Sequence, residues 1–164
     1  FLTFVHKTRS RFIFHDSHEY SKKTLRLYMT QLLCIMAEMK FSGTVIRGDG
    51  YGRKLGFPTI NIDSDNYYEQ NLQCQDGIYA GEVEAASSSE KHCAAIVFSH
   101  INGELKIEAH ILNFNGDLYD EMVTFNIIKF IRPYRVYDSE IELMAAISDD
   151  VSQIDNFCKK YKGE

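Results

Sequence analysis

No run of apolar residues in this sequence approaches the roughly 18 that a membrane-spanning helix needs. The longest candidate, Leu32 to Ala37, ends after six residues, so no membrane partner is expected. Four cysteines (Cys34, Cys74, Cys93, Cys158) form no CxxC pair, and no histidine stands at zinc-finger spacing. That pattern signals neither a structural metal nor a disulfide framework, and each cysteine is read as a reduced thiol in a cytoplasmic chain, packed as a small hydrophobe. Positive charge is scarce: 18 Lys/Arg stand against 23 Asp/Glu, a formal net charge of −5. Residues 1–38 hold six of those cations against three acids, which leaves 12 against 20 for residues 39–164. Nucleic-acid affinity rests mainly on positive charge, so a body this acidic argues against a nucleic-acid partner, including a barrel that grips single strands. Any phosphate it binds must be held locally. Internal repeats and low-complexity tracts are also absent.

What is present suits one compact domain, because 164 residues with 45% hydrophobic and 25% charged content match an ordinary globular chain. Residues 1–21 mix aromatics, histidines and cations without period, whereas Lys22 to Met39 sets Leu25, Tyr28, Met29, Leu32, Leu33 and Met36 at helical spacing. The expected organisation is an N-terminal arm with a helix over 1–38, of unknown role, and a domain over 39–164, with Met39 a candidate natural start. From Phe41 to Arg132, short β-branched and aromatic runs alternate with Gly, Asn, Asp and Ser. Strands are predicted over 41–47, 57–62, 77–85, 93–99, 104–113 and 121–131, with Asn102-Gly103 as a tight hairpin turn. Six strands in succession favour a closed antiparallel barrel. After Pro133, Met144, Ile147, Val151, Ile154, Cys158 and Tyr161 form one apolar helical stripe, and Ser139 with Glu142 reads as its capping box.

Chemistry concentrates in three places. The segment Gly48-Asp49-Gly50-Tyr51-Gly52-Arg53-Lys54-Leu55-Gly56 places four glycines and two adjacent cations within nine residues. Such backbone can approach a polyphosphate and aim N–H groups at it, while Arg53 and Lys54 supply charge. No Gly-Lys-Ser/Thr closes it and no third glycine completes a dinucleotide fingerprint, so both familiar nucleotide folds are disfavoured. In Pro58-Thr59-Ile60-Asn61-Ile62, strand alternation sends Ile60 and Ile62 to the core and sets Thr59 and Asn61 together on the other face. A hydroxyl and an amide oxygen side by side suit a Mg²⁺ that keeps its waters and a nucleotide's phosphates. In Lys106-Ile107-Glu108-Ala109-His110-Ile111, the same alternation leaves Glu108 and His110 on the non-core face. Glu108 can take a proton from a substrate hydroxyl, while His110 alone carries no catalytic signal. Tyr119 can stack on a planar ring, and Arg132 can pin a loop or an oxygen-rich ligand.

Taken in order, GRKLGFPTIN, DGIYAGEV at 76–83, IEAHILNFNGDLY at 107–119 and FIRPY at 130–134 resemble the riboflavin kinase family. That family includes the kinase half of bacterial bifunctional FAD synthetases. The resemblance spans roughly Phe41 to Phe157 and implies a mostly β fold, a six-stranded antiparallel barrel of Greek-key type with a C-terminal α-helix. It implies ATP-dependent phosphorylation of riboflavin to FMN, with riboflavin and ATP as partners and Mg²⁺, or Zn²⁺ or Mn²⁺, as the metal. By motif position Glu108 is the expected general base. Gly48, Gly50, Gly52, Arg53, Lys54, Gly56, Pro58, Thr59 and Asn61 are the expected ATP-binding residues, Thr59 and Asn61 also the metal pair. Arg132 and Tyr119 are the expected riboflavin contacts. A monomer is expected, and residues 1–38 are too short to hold the adenylyltransferase domain of the bifunctional relatives.

Two departures lie beside this site. Asp120 follows Tyr119 where the family commonly has glycine, and the 97–104 segment is shorter than usual. They motivate an alternative reading, a non-catalytic flavin- or nucleotide-binding module on the same barrel.

Overall fold

A computed structural model describes residues 39–70 and 74–163. The arm and helix expected over 1–38 lie outside the described residues. In chain order the elements are β1 (Met39–Ile46), α1 (Tyr51–Lys54), β2 (Ile60–Ile62), α2 (Ser64–Glu69), β3 (Gly77–Ala85), β4 (Lys91–Ile101), β5 (Glu104–Ile111), β6 (Met122–Pro133) and α3 (Glu140–Lys162). The six strands close into a barrel in the order β1-β2-β5-β4-β3-β6, with every neighbouring pair antiparallel. The Asn102-Gly103 turn joins β4 to β5 with φ angles of 55° and 85°, the left-handed pair that keeps a two-residue hairpin in twist with its strands.

Alternation along the strands builds two cores. Inward residues, among them Phe41, Val45, Ile62, Val83, Ile96, Phe98, Ile107, Ala109, Val123 and Phe125, fill the barrel. Phe41 and Phe125 stack there with ring centroids 4.6 Å apart. Outward residues Ile78, Ala80 and Ala95 form a second, smaller core with Ile154 and Cys158 of α3. Only part of the predicted helical stripe is therefore covered by the barrel: Ile154 and Cys158 are buried, while Met144 and Tyr161 are exposed. Ser139 caps α3 as expected, its Oγ accepting from the Glu142 N–H at 3.3 Å.

The structure corrects the expectation of reduced thiols at two positions. Cys93 on β4 and Cys158 on α3, 65 residues apart, are joined as a disulfide, while Cys74 takes no part in it and its Sγ lies 3.9 Å from Met39 Sδ. Sequence spacing hides this pair because the contact arises only when α3 lies across the outward face of β4. No described helix is long and apolar enough to cross a membrane.

Candidate active site

Where α3 stops covering the barrel, the outward faces of β2, β5 and β4 form the floor of a cleft of about 390 Å³. One wall is the glycine loop, and the other is the segment after β6 together with the first half of α3. The floor follows from register. Asn61 of β2 pairs with Glu108 of β5, and Glu108 faces Val97 of β4, so the amide and the carboxylate stand side by side on the outward face. Their strand neighbours Ile62, Ile107 and Ala109 point into the barrel and are buried, so the alternation leaves Asn61 and Glu108 no inward alternative.

Glu108 is half-buried in this floor. Burial, the largest influence, pushes its carboxyl above the usual carboxylate range; nearby Asp49 adds to the rise, and Lys106 on the same strand face opposes it. The result is a carboxylate with more affinity for a proton than an exposed one, as a general base requires. Lys106 Nζ lies 3.7 Å from Asp49 Oδ2, which ties the loop wall to the floor beside Glu108.

The glycine loop is laid directly on the Thr59 and Asn61 side chains. A Cβ at Gly48 would overlap the Asn61 carboxamide, and one at Gly52 would meet the Phe57 carbonyl oxygen at 2.5 Å and Thr59 Oγ1 at 3.3 Å. Those two positions need glycine because backbone and side chain share the space a methyl would fill. Within the loop, α1 turns the chain and the Phe57 N–H donates to the Gly52 carbonyl at 2.8 Å. Tyr51 Oη donates to Glu140 Oε1 at 2.9 Å across the mouth of the cleft, a bond that raises the tyrosine pKa.

On the opposite wall, Arg132 at the end of β6 donates from Nε and Nη2 to the two carboxylate oxygens of Asp150 on α3, at 2.8 and 2.6 Å. Asp150 is only 5% exposed, and its hydrogen bonds hold the Arg132 pKa above its ordinary value. The pair is a two-pronged tie between barrel and helix. Arg132 thus pins an element while lining the cleft beside Tyr134, Arg135 and Tyr137.

Of the residues singled out from sequence, Gly50, Gly52, Thr59, Asn61, Glu108 and Arg132 line this cleft. Gly48, Arg53, Lys54, Gly56 and Pro58 belong to the same loop but are not among its lining residues. Tyr119 is not among them either; the Arg47 guanidinium lies over its ring, 4.7 Å from the centroid. Asp120 adopts φ 63°, the left-handed conformation that glycine reaches most easily, and its N–H donates to the Val45 carbonyl at 2.9 Å. Asp49, Tyr51, Tyr134, Arg135 and Tyr137 also line the cleft; the sequence singled out the segments they belong to but not these side chains. Lys106 lines it too, and its signal is strand alternation, which puts it on the outward face with Glu108 and His110.

Among the described residues no group of three or more His, Cys, Asp and Glu side chains converges to hold a metal. The Thr59 hydroxyl and Asn61 amide offer a hard, two-oxygen set, which fits Mg²⁺ bound chiefly through waters and phosphates and suits Zn²⁺ poorly.

The riboflavin kinase family model, Flavokinase, matches residues 35–158. The bifunctional riboflavin kinase/FMN adenylyltransferase of Mycoplasma pneumoniae is 33% identical over 144 residues, 84% of this chain and 52% of that protein. The chain thus spans about half the length of that relative. Human riboflavin kinase is 31% identical over 116 residues, 68% of this chain and 75% of that one. Two solved structures share the fold. The first, titled a macrolide-efflux protein from Streptococcus pneumoniae, has a TM-score of 0.67 at 24% identity and covers 79% of this chain and 46% of that one. The second, riboflavin kinase from Trypanosoma brucei, has a TM-score of 0.58 at 23% identity and covers 76% and 83%. The family match runs from before β1 to within α3 and takes in both walls and the floor of the cleft, and on that ground the chain belongs to the riboflavin kinase family.

Proposed function

We propose that this chain is a riboflavin kinase, transferring the γ-phosphoryl group of ATP to the ribityl 5′-hydroxyl of riboflavin to give FMN and ADP. The observation that carries this reading is the placement of Glu108 beside Asn61 in the cleft floor, directly under the glycine loop. In the transfer, a bond forms between the ribityl oxygen and the γ-phosphorus while the bond from that phosphorus to the β,γ-bridging oxygen breaks. The hydroxyl proton passes to Glu108, whose raised pKa suits it to accept one. Backbone N–H groups in the first part of the loop cradle the phosphates, because those of Lys54, Leu55 and Gly56 already donate to loop carbonyls; Arg53 and Lys54 add charge at the rim, and Pro58 fixes the turn into β2. Thr59 and Asn61 would hold the divalent ion, Mg²⁺ or Mn²⁺ rather than Zn²⁺, which when bound offsets the charge on the phosphates.

Riboflavin is assigned the opposite side of the cleft, where Val97, Leu143 and Ile147 offer apolar surface near Arg132, Tyr134 and Tyr137. Arg132 acts there from a position fixed by Asp150. Tyr119 reaches the flavin only if its Arg47 cap parts. The chemistry is assigned to residues within 39–164, working as a monomer. A cytoplasmic location goes with this reading.

The test is direct: purified chain with riboflavin, ATP and Mg²⁺ is expected to form FMN, read by chromatography. Tight flavin binding with no FMN would instead identify a non-catalytic binding module on the same barrel.

A further inference from the structure

The role of His110 is not explained by the chemistry above, although it shares the cleft floor with Glu108. Its Nδ1 lies 2.8 Å from the carbonyl oxygen of Pro58. A carbonyl only accepts, so Nδ1 carries the proton and donates. The bond sits where the β2 ladder runs out. The last pair between β2 and β5 is Ile60 with Ala109, and just before β2 stand Thr59 and then Pro58, which has no N–H to give. The imidazole therefore supplies, from its side chain, a tie that the backbone ladder lacks at this point. Its ring also meets Phe57 edge-on, with centroids 5.8 Å apart at 80°. Phe57 in turn donates its N–H to the Gly52 carbonyl. A single side chain thus fixes the carbonyl before Thr59 on one side and, through Phe57, the base of the glycine loop on the other.

We infer that His110 is a positioning residue for the nucleotide half of the site. Its Nδ1–H to Pro58 carbonyl bond sets where Thr59 and the glycine loop stand over the phosphates, while His110 itself touches no reacting atom. The inference rests on the assignment of Thr59 and the loop to nucleotide binding made above.

Two amides separate this role from mere occupancy of space. In His110→Asn the amide nitrogen occupies the bond position of Nδ1, and in His110→Gln it occupies that of Nε2. Binding of MgADP to the full chain by titration calorimetry, and FMN formation with MgATP varied at saturating riboflavin, give the readouts. His110→Gln and His110→Ala are expected to weaken MgADP binding and raise the KM for MgATP by about three- to tenfold, the scale of one lost neutral hydrogen bond. The KM for riboflavin should stay within about twofold, and His110→Asn should recover most of the loss. Equal behaviour of the Asn and Gln variants, or a loss confined to kcat or to the riboflavin KM, overturns the assignment. Thermal melting accompanies each variant. If His110→Asn unfolds along with His110→Ala, the residue supports the barrel as a whole, and the assignment is likewise overturned. A wild-type chain that neither binds MgADP nor forms FMN would sink the kinase reading itself, whereas an active wild type with no Asn rescue sinks only the role given to His110.

Discussion

The inward and outward faces of this barrel are built from alternate residues of the same strands, yet they divide the work almost completely. Inside, Phe41, Phe98, Phe125 and their aliphatic neighbours close on one another with almost no exposed surface. Outside, α3 covers part of β3 and β4, and the surface around Glu108 is left open as the cleft. Glu108 and Ile107 are adjacent in sequence and belong to different problems, one chemical and one of packing. A change on one face should therefore leave the other largely untouched, and four substitutions probe how far that separation holds.

The largest effect is expected inside. Phe125→Ala should lower stability by about 3–5 kcal/mol, the usual cost of a buried aromatic cavity. Chemical denaturation checks this, and the fraction that remains folded should keep near-normal turnover. A smaller effect is expected at the seam between the faces. Asp150→Asn leaves Arg132 with one neutral acceptor; because that guanidinium side chain is 23% exposed, solvent offsets part of the loss and about 1–2 kcal/mol of stability should go. Here activity should fall too, since Arg132 lines the cleft, and a D150N protein with unchanged riboflavin KM would show that the tie serves the fold alone.

The smallest effect is a shift in pH dependence. With Glu108 as the proposed base, turnover would require it ionised, so kcat/KM should fall as pH drops through its pKa, which burial places above the ordinary carboxylate range. Lys106→Met removes the charge that lowers this pKa and should move the acid limb to higher pH. Asp49→Asn removes a charge that raises it and should move the limb to lower pH. Limbs that stay put in both variants would break the link between the loop wall and the base.

The same division explains what could be read before the structure. Alternation at Ile107, Ala109 and Ile111 against Glu108 is a local, period-two signal, and it survives folding because one face must be buried. The Asn102-Gly103 turn and the Ser139 cap are equally local. What escaped depends on chain segments far apart. The Tyr51 to Glu140 bond spans 89 residues and the Cys93 to Cys158 link 65, and neither leaves a spacing pattern. Strand β2, expected over 57–62, starts only at Ile60, because Pro58 cannot donate to the ladder and the loop before it winds into α1. The helix α2 after it gave no periodic signal over its six residues.

The central claim is that the outward face around Glu108 performs phosphoryl transfer. The most direct measurement is FMN formation by wild type and Glu108→Gln under saturating riboflavin and MgATP, with MgADP binding and melting temperature measured on both. The account predicts a loss of about a hundred- to ten-thousandfold in turnover for Glu108→Gln, with nucleotide binding and fold intact. Equal turnover in the two proteins would contradict it.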